Sequence, residues 1–80
     1  MKLLKYEITL SRVSKTLEYK KDLRIVKYYI NTYELKEDLL KMQKRAEKMG
    51  FKLSKNYYNS IILKKSNGER YFIDYRKRVK

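Results

Sequence analysis

Eighty residues carry 22 Lys and Arg against nine Asp and Glu, a formal charge of +13, with no Cys and no His. A chain this short forms one domain, 1–80, and buries about 60 to 65% of the surface its unfolded form exposes, which leaves no room for a deep enzyme cleft beside a core. The missing Cys excludes disulfides and thiolate metal sites, and the missing His removes the commonest general base and metal ligand. No catalytic residue, metal site or cofactor is therefore expected, and no hydrolytic activity.

The charge is unevenly placed. Residues 1–40 hold nine Lys/Arg and six Asp/Glu, net +3, and residues 41–80 hold thirteen and three, net +10. Repulsion among so many cations costs stability and is usually retained because an anionic partner uses it. AT-rich coding also yields Lys, Tyr, Ile and Asn, but it does not explain a shift of this size within one chain. The first residues, MKLLKYEITL, interrupt their apolar run with Lys2, Lys5 and Glu7, so neither a signal peptide nor a membrane span is expected, and a cytoplasmic location is.

In chain order, residues 3–11 alternate, with Leu4, Tyr6, Ile8 and Leu10 on one side and Lys5, Glu7, Thr9 and Ser11 on the other, the period of a half-buried strand. Residues 12–31 admit two readings. As strands, 16–20 turns at Lys21 and Asp22 into 23–30, where Ile25, Val26, Tyr28, Tyr29 and Ile30 are types that strands favour. As a helix, Tyr19, Leu23, Val26 and Ile30 recur at steps of four, three and four. Poor helix propensity over 25–30 prefers the strands.

Residues 33–49 form a helix with an apolar stripe of Leu35, Leu39, Met42, Ala46 and Met49. Asn31 or Thr32 can cap it, and Gly50 can take the left-handed conformation at its end. Glu34, Glu37 and Asp38 lie in its first turns and Lys44, Arg45 and Lys48 in its last, the charge order the helix dipole favours; these acids read as helix-start residues rather than a metal site. Phe51 and Leu53 follow as an edge strand, and 56–59 as a turn.

Ser60 to Arg78 then reads as a hairpin closed by Asn67-Gly68, the residues that a two-residue turn with positive φ at both positions prefers. That loop pairs Ser66 with Glu69, Lys64 with Tyr71, Ile62 with Ile73 and Ser60 with Tyr75 on one face, and sets Ile61, Leu63 and Lys65 against Asp74, Phe72 and Arg70 on the other. The expected architecture is α+β: an antiparallel sheet of four or five strands with one helix on a face, βββαββ, with βααββ as the alternative.

Phe72 has no polar handle, whereas Tyr71 and Tyr75 can keep a hydroxyl wet, so the Phe72 side is expected to face the helix. Tyr71, Ile73, Tyr75, Ile62 and Lys64 then remain open, a platform of the kind on which unpaired bases stack while cations hold phosphates. A second basic set, Lys44, Arg45, Lys48, Lys52 and Lys55, suggests a ridge running off the helix end. With Lys65, Arg70 and the tail Arg76, Lys77 and Arg78, these residues complete the expected nucleic-acid-binding set. No C₂H₂, RNP or KH motif accompanies them, so binding should be backbone-directed, to RNA or DNA, and weakly sequence-selective.

The βααββ order with basic residues near the carboxyl end resembles the RelE family of ribonuclease toxins. The segment MGFKLSKNYYNSIILKKSNGERYFI is similar in outline to the helix and hairpin of HicA toxins, which implies a metal-independent ribonuclease; the catalytic His of that family falls where this chain has Ile61 after Ser60. A third reading is a phage or mobile-element protein that occupies an acidic or nucleic-acid-handling host complex, since Tyr and Arg also favour protein interfaces.

Overall fold

Ile8 is fully buried at the middle of the first strand, β1 (Leu4–Val13), with Tyr6 and Leu10 packed on the same side, so the alternation of residues 3–11 is a true two-faced pattern. The structure, a computed structural model, describes residues 3–16 and 20–78. Among these, β1 is followed by β2 (Lys20–Tyr29), α1 (Thr32–Lys48), β3 (Lys52–Tyr57), β4 (Ser60–Lys64) and β5 (Arg70–Arg78). The strands form one antiparallel sheet in the order β2-β1-β5-β4-β3, and α1 packs across one face. The α+β class with a single helix is the architecture expected.

The ambiguous middle segment resolves as one strand. Lys21 and Asp22 do not turn; they pair with Arg12 and Ser11, and β2 runs in register with β1 along its whole length. A ten-residue partner satisfies the β2 backbone continuously, and that outweighs the local turn propensity of Lys-Asp. The strand expected over 16–20 falls largely on residues 17–19, outside the described residues. The helical alternative through Leu23, Val26 and Ile30, and with it the βααββ order, is overturned because Lys20–Tyr29 is extended and paired with β1.

Both ends of α1 are closed as the sequence suggested. Asn31 is the N-cap, its Oδ1 accepting from the Glu34 amide at 2.9 Å, and the Glu34 carboxylate reaches back to the Ile30 amide at 2.8 Å. At the other end Gly50, at φ +99°, lets its own N–H reach the Glu47 carbonyl and the Phe51 N–H reach that of Ala46, the paired bonds of a Schellman stop. Phe51 is thereby delivered into the core beside Ala46, both essentially buried. Met49 departs from the expected stripe: as the C-cap it is 42% exposed. Leu35, Leu39, Met42 and Ala46 carry the stripe onto Ile8, Tyr29, Ile61, Leu63 and Ile73. Each fully buried Leu or Ile contributes about 1.5 to 3 kcal/mol of transfer free energy.

The β4–β5 hairpin differs from expectation by one residue. Lys65 donates its N–H to the Glu69 carbonyl and accepts from the Gly68 N–H, both at 2.9 Å, so the loop is the three residues Ser66, Asn67 and Gly68, with Gly68 at φ +93°. Strand pairing follows as Lys64 with Arg70, Leu63 with Tyr71, Ile62 with Phe72, Ile61 with Ile73 and Ser60 with Asp74. A one-residue shift moves one strand's side chains to the opposite face relative to the other's. The physical reason is segregation: this register gathers Ile61, Leu63, Tyr71 and Ile73 on one side, whereas a two-residue loop would set Lys64 beside Tyr71 and Leu63 beside Phe72. Asn67 supports the longer loop, its Oδ1 accepting from the Glu69 amide at 2.9 Å. The turn before β4 is also tighter than 56–59: β3 continues to Tyr57, which pairs with Ser60.

Candidate nucleic-acid interface

One face of the sheet is occupied by α1 and the other is bare of helix, and strand alternation decides which side chains each presents. Tyr71 and Tyr75, expected on the open face, lie on the covered one. Tyr71 packs against Phe51 with ring centroids 5.5 Å apart, and the Tyr75 hydroxyl donates to the Tyr58 carbonyl at 2.8 Å. Burial raises the phenol pKa of both; Arg12 and Arg45 partly offset this at Tyr71, while neighbouring Tyr6 and Tyr58 add to it at Tyr75. The expectation that Phe72 faces the helix is likewise reversed, because the observed register gives the helix side to Ile73, which is fully buried. Both tyrosines are half-buried on the covered side, where the Tyr75 hydroxyl finds a backbone partner, so a polar handle does not decide between faces.

The covered face also takes Lys65 and Lys77. The Lys65 ammonium stands 5.3 Å from the Phe51 ring centroid, and the Arg12 guanidinium 5.4 Å from the same ring. Lys77 borders a recess of about 340 Å³ with Tyr6, Leu35, Tyr58 and Tyr75. Lys44, Arg45 and Lys48 are exposed on α1. The expected ridge from Lys44 to Lys55 is therefore divided by the sheet: its helical half lies in the helix layer, whereas Lys52 and Lys55 alternate onto the open face, opposite Lys64 and Ile62.

The open face gathers the rest. On β5 it presents Arg70, Phe72, Asp74, Arg76 and Arg78; on β4, Ser60, Ile62 and Lys64; on β3, Lys52, Lys55 and Tyr57. Phe72, half-buried, lies between Ile62 on β4 and Ser11 on β1. Ser54, Lys55, Tyr57, Ile62, Lys64, Arg70 and Phe72 line a shallow recess of about 180 Å³. Tyr57 is 52% exposed and held by Lys55, whose ammonium lies 5.7 Å from the ring centroid and 3.2 Å from the hydroxyl. A ring and an aliphatic floor, bordered by Lys55, Lys64 and Arg70, thus occur together on one surface.

Beside this cluster Ser60 Oγ donates to Asp74 Oδ1 at 2.5 Å. Further along the same face Glu7 draws in Arg24, Arg76 and Arg78. Arg24 and Glu7 belong to the first half of the chain, where net charge is low, and the sequence reading passed over both. Alternation over β1 did place Glu7 opposite the core side, which was the available signal.

The acids at the helix start have structural work. Asp38 accepts from the Tyr29 hydroxyl at 2.5 Å and the Lys27 ammonium at 2.8 Å, tying α1 to β2. Burial pushes the Asp38 carboxyl up, but these hydrogen bonds and the Lys27 charge outweigh it and hold it below the usual carboxylate range. Burial, with Asp38 beside it, pushes the Tyr29 phenol well above its ordinary value. Among the described residues no helix is long and apolar enough to cross a membrane. Comparison with protein-family models, curated proteins and solved structures finds no match.

Proposed function

We propose that the protein binds single-stranded nucleic acid, RNA or DNA, on the helix-free face of its sheet, directed mainly at the backbone and only weakly at sequence. The observation that carries this is the coincidence of Phe72, Tyr57 and Ile62 with Lys55, Lys64 and Arg70 around one open recess. Bases stack on exposed rings without regard to identity, and cations spaced around them take the phosphates. Duplex readout on this face is not favoured, because a broad five-stranded sheet presents neither a helix nor a narrow two-stranded ribbon to a major groove.

Binding of a fluorescein-labelled single strand, followed by anisotropy across a salt series, tests the reading. With about four to six phosphates neutralised, log affinity should fall against log salt with a slope of roughly −3 to −4. A curve that does not move between low and physiological salt counts against it.

A protein partner is the second reading, favoured by β2. This ten-residue edge strand exposes Leu23, Val26 and Tyr28 among its cations, a surface to which an extended segment of a nucleic-acid-handling complex can add a strand. Pull-down from a host lysate separates the two: capture that survives nuclease treatment supports the protein partner, and capture abolished by it supports nucleic acid.

A further inference from the structure

Arg24, Arg76 and Arg78 come from two strands that do not touch each other, yet converge on one residue of the strand between them. The register sets Arg76 directly opposite Glu7, Arg78 opposite Lys5 and Arg24 opposite Thr9. The Glu7 carboxylate lies 3.2 Å from the Arg78 guanidinium, 3.6 Å from that of Arg76 and 3.7 Å from that of Arg24. The Glu7 side chain is only 14% exposed, whereas the Arg24 and Arg76 side chains are 72% and 69% exposed, so each guanidinium keeps an outward side. One carboxylate leaves two of the three positive charges unneutralised. Glu7, Thr9, Arg24 and Arg76 border an open recess of about 360 Å³ together with Asp74, which stands opposite Thr9 and accepts a hydrogen bond from Ser60, so three guanidiniums there face two carboxylates and the site stays net positive.

We infer that Arg24, Arg76 and Arg78, ordered by Glu7, form a phosphodiester-anchoring site for the strand whose bases stack at Phe72; this rests on the nucleic-acid reading above. Arg76 is four residues beyond Phe72 on the same face of β5, about 13 Å along the strand, with Asp74, hydrogen-bonded by Ser60, between them. A short run of nucleotides following β5 therefore meets the ring, passes that carboxylate and then meets the arginines. Guanidinium is suited to this role because its planar fork can hydrogen-bond one carboxylate and still present donors to a phosphate. Glu7 is a positioning residue. It restrains three long side chains that would otherwise be ordered only on binding.

This predicts an effect opposite in sign to simple charge counting. If the face attracted the backbone only by its net field, Glu7→Gln would remove a repulsive carboxylate and tighten binding. With Glu7 ordering the arginines, Glu7→Gln should instead weaken binding of a short fluorescein-labelled single strand by about threefold to tenfold at fixed salt. Thermal melting of the same sample shows whether the fold is retained. A double variant, Arg24→Lys with Arg76→Lys, keeps the charge and removes the forks; it should weaken binding to a similar degree, and it decides the matter alone if Glu7→Gln does not fold. Tighter binding by Glu7→Gln, or unchanged affinity in the double lysine variant, overturns the anchoring site while leaving the nucleic-acid reading in place. Failure of the unaltered protein to bind the strand at any salt overturns both.

Discussion

Phe72 and Ile73 are neighbours in the chain and face opposite sides of the sheet. Ile73 is fully buried beneath α1 with Ile61, Leu63 and Ile8 around it, whereas Phe72 lies half-covered among Lys55, Lys64 and Arg70. By side-chain size the phenylalanine has at least as strong a claim to the core. What places it outside is its row: its cross-strand partners are Ser11 and Ile62, and the next residue on its face is Asp74, while every partner of Ile73 is apolar. Membership of the core is thus a property of a cross-strand row and the rows beside it, and a large apolar residue in a mixed row, as Phe72 is between Ile62 and Ser11, becomes available for contact with a ligand.

The largest expected effect separates these two residues. Ile73→Ala should lower stability by about 2 to 5 kcal/mol through the cavity it leaves, read from chemical denaturation. Phe72→Ala should cost about 1 kcal/mol of stability, as at other solvent-side strand positions. It should weaken single-strand binding by roughly 1 to 3 kcal/mol at an unchanged salt slope. If Phe72→Ala unfolded the protein while Ile73→Ala stayed folded, the division of faces would be wrong.

The loop that sets those faces comes next. Gly68 has positive φ, and a Cβ there would lie 2.7 Å from the Lys15 side chain. Gly68→Ala should therefore cost about 1 to 2 kcal/mol, measurable as a lower denaturation midpoint. Unchanged stability would mean that the register is held by the apolar rows alone.

The smallest effect is in pH dependence, and it belongs to the covered face. Asp38 has a lowered pKa when folded, so its contribution is present above its unfolded value of 3.8 and is lost as pH falls through the folded value. Tyr29 has a raised pKa, so its contribution is present below 10.0 and is lost as pH climbs beyond it. Asp38→Asn should flatten the acid side of a stability-versus-pH curve. It should reduce the alkaline fall without abolishing it, because burial is the first cause at Tyr29. An acid limb identical in both proteins would show that Asp38 contributes nothing there.

The elements with strong periodicity were legible. The β1 alternation, the Leu35-Leu39-Met42-Ala46 stripe and the Asn31 and Gly50 caps follow from local rules that tertiary contacts then reinforce. Long-range arrangement was not legible to the same degree. Asn67-Gly68 correctly announces a hairpin, but whether Ser66 belongs to the strand or the loop depends on which register separates apolar from charged rows across two strands. The basic residues were visible as a set, and their partition was not, because β3 turns Lys52 and Lys55 away from the helix that carries Lys44, Arg45 and Lys48. Arg24 could be joined to Arg76 only by knowing that β1 lies between their strands.

The strand order has a kinetic consequence. β1 and β5 pair from Lys5 with Arg78 to Val13 with Arg70 at the centre of the sheet, so the middle of the core closes only when a loop running from residue 13 to residue 70 is brought together. Such non-local pairing slows folding, because loop-closure entropy is lost before the contact is gained. During synthesis β1 and β2 emerge early and can pair locally, but Ile8 has no cover on its β5 side until Ile73 and Tyr75 arrive. Until then the β5-side edge of β1 stands open, across the pair from the outer edge of β2, and the growing chain offers this apolar β1 edge where the finished sheet has the lysine-bearing β3.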